Sequence, residues 1–179
     1  MTRTLFAFTL AALVGTAAFA DETKYTLTGD NTKLTFVGTK SNGKHEGGFK
    51  TLTGTATVSG SDLTTLKIDV EIVTDSLYSD DTKLTGHLKS PDFFAVKDNP
   101  KATFKSTKVE KTAAGYTITG DLTLLGKTKP VTFTATAKAD GGLHLTSDFT
   151  IDRNDWGMSY GKGKIDDKVA LKIAVDAKK

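Results

Sequence analysis

Apolar and polar residues alternate with a period of two along most of this chain. Leu143, Leu145, Phe149 and Ile151 share one parity, and His144, Thr146, Asp148 and Thr150 hold the other. Val169, Leu171, Ile173 and Val175 stand in the same way against Ala170, Lys172 and Ala174. So do Ile68, Val70 and Ile72 against Lys67, Asp69 and Glu71, and the pattern recurs in Ile118-Gly120-Leu122-Leu124 and Val131-Phe133-Ala135. Successive side chains of a strand point to opposite faces, so this alternation predicts half-buried antiparallel strands with one apolar and one wet face. Turn-forming stretches separate the runs: Ser59-Gly60-Ser61-Asp62, Ala114-Gly115, Gly126-Lys127 and Asp140-Gly141-Gly142. Their spacing suits hairpins. Eight strands are expected, near residues 33–40, 48–59, 65–74, 101–110, 115–125, 130–139, 142–152 and 167–178. In the run 48–59 the apolar parity shifts between Phe49 and Leu52, and a β-bulge would explain the shift. Eight antiparallel strands stack as a sandwich or close into a barrel, whose interior has room for side chains or one small ligand.

Between the third and fourth expected strands, residues 75–100 lose the alternation. Structureless loops longer than about 12–15 residues are usually functional or disordered. Tyr78, Leu84, Leu88, Phe93 and Phe94 make this one too apolar for disorder. Leu84 and Leu88, four apart, fall on one face of a short helix. The segment is expected to be a partly helical lid over one end of a barrel.

The first twenty residues are set apart from this pattern. Arg3, the apolar stretch Leu5–Val14 and the small-x-small triplet Ala18-Phe19-Ala20 predict a signal peptide, cleaved before Asp21. The stretch is too short to span a bilayer, which takes about twenty apolar residues. The expected address is the periplasm, with secretion beyond it as the weaker option. A single domain over residues 21–179 follows from the length that remains. The leader holds one basic and no acidic residue, so its removal takes the net charge from +3 to +2. That near-balance gives no electrostatic reason to expect a nucleic-acid partner. The chain has no Cys, which removes disulfides, thiol catalysis and Cys-zinc sites from consideration.

Motifs for chemistry are sparse. Gly126-Lys127-Thr128 has the ending of a phosphate-binding loop, but Asp121 stands where that loop needs Gly, and two strands flank it; it reads as a turn. His45, His87 and His144 show no metal-ligand spacing; His45 and His87 read as loop residues and His144 as surface. No Ser nucleophile elbow or His-Glu-x-x-His motif occurs, and no metal or enzymatic activity is expected. Seven Phe remain after the leader. They either fill a core or line a cavity, and Gly38 and Gly120, small residues at strand positions, favour the cavity.

Several segments together resemble the YceI-like family of bacterial periplasmic proteins. They are Leu34-Thr35-Phe36, His45-x-Gly47-Gly48-Phe49, Gly86-His87-Leu88-Lys89-Ser90-Pro91-Asp92-Phe93-Phe94 and Pro100-x-Ala102-Thr103-Phe104, then Gly120–Val131 and Asp152-Arg153-Asn154-Asp155-Trp156-Gly157-Met158. The match runs in order over nearly the whole chain after the leader. The resemblance implies an all-β fold, an extended eight-stranded antiparallel β-barrel of lipocalin-like form with a long apolar tunnel. It implies a bound polyisoprenoid, either an isoprenoid quinone or a polyprenyl phosphate, as ligand rather than cofactor. Phe36, Phe49, Val70, Ile72, Leu88, Phe93, Phe94, Phe104, Phe133, Trp156 and Met158 are the candidate tunnel residues, and His87 and Arg153 the candidate head-group contacts. Trp156 stands where Phe is common in the family and is expected to narrow the tunnel. Transient contact with a membrane surface and a homodimer through an unpaired strand or the lid are compatible partners. The alternative reading is a stress-associated scaffold with a packed core and no lipid.

Overall fold

A computed structural model describes residues 21–179; the expected leader, residues 1–20, lies outside them. The chain forms β1 (Glu22–Thr28), β2 (Thr32–Lys40), β3 (Gly43–Phe49), β4 (Leu52–Ser59), β5 (Asp62–Val73) and β6 (Leu77–Ser79). Helix α1 (Thr82–Lys89) follows, then β7 (Lys101–Thr112), β8 (Gly115–Leu124), β9 (Lys127–Ala139), β10 (Gly142–Asp152) and β11 (Ile165–Lys178). All neighbouring strands pair antiparallel in one sheet, in the order β1-β4-β5-β7-β8-β9-β10-β11-β2-β3-β6. The sheet is an eleven-stranded curled half-barrel rather than the expected eight-stranded barrel.

The three additional strands carry little alternation of their own. β1 (ETKYTLT) has only Tyr25 and Leu27 on its apolar face, and β6 is three residues long. β3 (GKHEGGF) presents His45, Gly47 and Phe49 on the face that pairs with Gly38, Phe36 and Leu34 of β2, so its inward parity holds one large apolar side chain. The bulge expected within 48–59 is a full corner. β3 ends at Phe49, and Lys50 and Thr51 carry the chain into β4. There the Lys50 N–H donates to the Ser76 carbonyl (3.2 Å), the Thr51 N–H to Ser76 Oγ (3.0 Å) and the Val73 N–H to the Thr51 carbonyl (3.0 Å). The β3–β4 and β5–β6 connections therefore turn together, which is how strands pass from one sheet face to another.

The hairpin between β8 and β9 turns on Leu125 (φ 50°) and Gly126 (φ 69°). Two successive positive φ values match the twist of a tight hairpin, so Gly126-Lys127-Thr128 is a turn. In the segment 75–100, α1 starts at Asp81, whose carboxylate accepts the Leu84 N–H at 2.7 Å, and stops before Pro91. Residues 90–100 are held by turn hydrogen bonds, such as Phe94 N–H to the Leu88 carbonyl (3.0 Å). Leu88 and Phe93 are buried with Leu77 in a small apolar cluster, against which Phe36, Phe49, Leu84, Phe94 and Ile165 pack.

The larger core lies at the other end of the sheet. Tyr25, Val58, Leu63, Leu66, Val109 and Ile118 are buried there, and β1 crosses that end against β4. Burying large apolar side chains stabilises by about 1.5–3 kcal/mol each, so this end carries the greater share of the packing energy.

Candidate functional site

Between these two clusters the interior is not filled. A cavity of about 300 Å³ runs through the curl of the sheet, a volume at the lower end of those that take small ligands. Its wall follows the inward parity of the strands: Thr32, Leu34, Phe36, Gly38 and Lys40 on β2, and Ile165, Val169, Leu171, Ile173 and Val175 on β11. From Thr32 to Lys40 the wall is about 26 Å long at ~3.3 Å per residue. Leu27 of β1 and Leu143 of β10 lie toward the closed end. At the other end, Lys40, His45, Leu84, Leu88, Phe93 and Met158 surround a mouth. Two aromatic groups face the space. Phe49 contacts Phe36 (6.2 Å between ring centroids) and meets Phe94 edge-on (5.5 Å). Phe133 stacks on Phe149 at 4.5 Å and lies 5.7 Å from Phe104.

Of the candidate tunnel residues, Phe36, Phe49, Val70, Ile72, Leu88, Phe93, Phe94, Phe104, Phe133 and Met158 line this cavity, and Arg153 contributes to its wall. Trp156 and His87 do not. Trp156 is 2% exposed and packs beside β9, with its indole N–H donating to the Leu122 carbonyl at 3.1 Å. Its bulk anchors the short turn after β10 and leaves the cavity width unchanged. His87 sits on the outer side of α1, its Nε2 2.9 Å from Asp92 Oδ2 and its ring edge-on to Phe93 (5.0 Å) and Tyr160 (4.7 Å). It joins α1 to the 157–164 loop and points away from the tunnel.

Arg153 is 4% exposed, and most of its donors are committed. Nε donates to the Asp166 carbonyl (3.0 Å), one terminal nitrogen to the carbonyls of Met158 and Tyr160, and the other to the Ile165 carbonyl (3.2 Å). That last nitrogen also lies 3.5 Å from Asp167 Oδ1, a buried oxygen with no hydrogen bond of its own. A guanidinium has five N–H donors; four of them here bond carbonyls of the loop 158–167, and the Nη2 nitrogen also faces Asp167. Arg153 thus acts as a structural clamp on that loop.

Gly38 and Gly120, expected alike to leave room, differ. A Cβ on Gly120 would lie 2.5 Å from the Phe104 ring and 2.6 Å from the Lys105 carbonyl, whereas one on Gly38 would meet nothing within 4 Å. Phe104 already occupies the space at Gly120; the space at Gly38 is open.

The sequence reading missed His45 and most of the β11, β10 and β2 walls, notably Leu34, Leu145, Phe149, Val169, Leu171 and Ile173. The alternation of β2, β10 and β11 would have found the wall residues; nothing in the pattern of β3 marks His45. His45 lies on β3, not in a loop, directly opposite Gly38. Its Nδ1 is 2.9 Å from Asp80 Oδ1, and Asp80 Oδ2 accepts the Glu46 N–H at 3.1 Å. The Glu46 N–H and then the His45 side chain hold the Asp80 carboxyl below its ordinary range. Asp152 is lowered in the same way, first by the Asn154 N–H and then by the Asn154 side chain. Among the described residues, no three His, Cys, Asp or Glu side chains converge as metal ligands.

Comparison with known proteins agrees with the curled sheet. The YceI-like domain profile matches residues 25–177. The chain belongs to the YceI-like family. A UPF0312 protein of Yersinia enterocolitica is 35% identical over 97% of this chain and 96% of its own length. Protein YceI of Salmonella newport is 33% identical over 98% and 97%. Among solved structures, Burkholderia cenocepacia BcnA superposes with a TM-score of 0.71 at 24% identity, covering 80% of this YceI-like chain and 94% of its own. A polyisoprenoid binding domain from Saccharophagus degradans superposes with a TM-score of 0.67 at 14% identity, over 89% and 98%. At these identities the two structures show the fold alone.

Proposed function

We propose that this YceI-like protein is a periplasmic carrier that holds the tail of a long isoprenoid lipid, an isoprenoid quinone or a polyprenyl phosphate, in the cavity of its sheet. The observation that carries this reading is an apolar cavity as long as β2, bordered by Leu27 and Leu143 at one end and by residues of α1 and the β2–β3 hairpin at the other. A chain extends by about 3.3–3.6 Å for every three skeletal bonds, so a four-bond isoprene unit spans about 4.6 Å and the ~26 Å wall matches five or six units. The polyisoprenoid binding domain of Saccharophagus degradans supports the same ligand class through its shared fold. A packed-core scaffold is disfavoured by the unfilled interior.

Burying a thirty-carbon tail from water at ~0.8 kcal/mol per CH₂ sums to about 24 kcal/mol, beyond the ~18–21 kcal/mol at which non-covalent affinity saturates. In the cell the tail leaves a membrane, where it is already dry. Net preference then rests on the fit of the tail and on head-group contacts, and loading calls for brief contact of the mouth with a membrane surface. The role is binding rather than catalysis: the wall is apolar, and its ionisable groups are confined to the mouth and the Arg153 clamp. The test is organic extraction of protein exported to a bacterial periplasm, followed by mass spectrometry. A stoichiometric isoprenoid is the expected result; protein recovered without lipid overturns the reading.

A further inference from the structure

We propose that the mouth holds a seat for an anionic head group, formed by Lys40 and His45 above Gly38, and that the lipid it selects is a prenyl phosphate rather than a quinone. The proposal deepens the carrier reading and rests on it. Gly38 and Lys40 end the inward parity of β2, and His45 faces Gly38 across the β2–β3 pair. All three residues therefore look into the same space. That space is unfilled: a Cβ at Gly38 would meet no atom within 4 Å, nor would one at Gly43, opposite Lys40. Gly38 has no positive φ, so its backbone does not call for glycine. What glycine leaves there is room.

Among the described residues, Lys40 is the one ionisable residue lining the cavity that has no partner. Asp80 accepts from His45 and from the Glu46 N–H, Asp166 accepts from the Thr39 hydroxyl, and Glu46 pairs with Lys44. Arg153, the other cation of the wall, has four of its five donors on loop carbonyls and its Nη2 nitrogen also beside Asp167. Among the described residues Lys40 makes no side-chain hydrogen bond or ion pair, although its side chain borders an apolar cavity. His45, which lines the cavity, is held by Asp80 through Nδ1, and among the described residues its Nε2 makes no hydrogen bond. A lysine ammonium brings three donors and a full charge, and an imidazolium would add one more. A quinone offers two neutral carbonyls to this set. A phosphate monoester offers negative charge and several acceptor oxygens, which charge-assisted hydrogen bonds favour.

The test compares a C30 polyprenyl monophosphate with the C30 polyprenol, which share a tail and differ only in charge. Each is offered from detergent micelles to the full-length wild-type protein and to Lys40→Met and Lys40→Arg, and retention is read by native mass spectrometry. Wild type is expected to prefer the phosphate. Lys40→Met should lose about two- to fivefold of that preference, the scale of an exposed ion pair, and retain polyprenol unchanged, while Lys40→Arg keeps the preference. Unchanged polyprenol retention also shows that the variant is folded. Equal retention of both lipids by wild type, or a Lys40→Met preference equal to wild type, overturns the head-group seat and leaves the carrier reading standing. Failure of wild type to retain either lipid overturns the carrier reading and the seat with it. Inorganic phosphate in large excess is the third ligand: no displacement of the prenyl phosphate supports a lipid-borne anion, and displacement overturns it in favour of a free phosphate site.

Discussion

The two ends of the curled sheet are closed by different means. At the far end β1 lies in the sheet itself, and Tyr25, Val58, Leu66 and Ile118 are 3% exposed or less. At the mouth the cover is one eight-residue helix and two loops, resting on a small apolar cluster and on polar links at the surface: His45 to Asp80, His87 to Asp92, and Lys89 to Asp75. Exposed pairs of this kind contribute about 0–1 kcal/mol each. Local openings begin where buried apolar contacts are few. The cavity is therefore closed by global stability at one end and by a cover of low local stability at the other.

The contrast can be broken most forcefully at the far end. Ile118→Ala should cost about 2–5 kcal/mol in chemical denaturation, as a fully buried truncation; Leu84→Ala, at the half-buried mouth, should cost under about 1 kcal/mol. Equal losses would erase the difference between the ends. Arg153→Met should cost about 3 kcal/mol, because loop carbonyls and the buried Asp167 oxygen lose their partner; a variant as stable as wild type would mean that the clamp is idle. Gly120→Ala should cost about 1–3 kcal/mol by overpacking against Phe104, while Gly38→Ala stays within about 0.5 kcal/mol of wild type. Matched melting curves for these two would contradict the open space at Gly38.

The smallest effect is at the His45–Asp80 link. The Asp80 carboxyl is held below its ordinary value of 3.8, first by the Glu46 N–H. A depressed acid stabilises the folded state above its unfolded pKa and loses that contribution as pH falls through the folded value. A carbon-detected NMR titration of Asp80 should thus have its midpoint below 3.8, with the Glu46 amide shifting in step. A midpoint at or above 3.8 would remove the link from the mouth.

Where alternation ran for four or more apolar positions, as in β10 and β11, strands and inward faces were legible in the sequence. β3 was hidden because its inward positions hold His45 and Gly47 ahead of Phe49, a face shaped for space rather than packing. β1 was hidden because two apolar residues make no period. The sheet corner at Lys50-Thr51 left its trace as a parity shift, the signature a bulge would also leave. The places of Trp156, packed outside the cavity, and of Arg153, in its wall but bonded to loop carbonyls, were illegible for another reason. Both residues sit at the end of β10, where the chain leaves the sheet, and alternation no longer tells inside from outside. Gly38 and Gly120 looked equivalent because the ring that fills one of them, Phe104, belongs to a neighbouring strand.

The central claim is that a tail lies along the interior with its head at the mouth. Intermolecular NOEs between a C30 polyprenyl lipid and methyl-labelled protein test it most directly. The account predicts contacts from Ile165 and Leu88 near the head group through Val169 and Ile173 to Leu143 near the tail end. Contacts confined to surface methyls, with Leu143, Val169 and Ile173 silent, would contradict it.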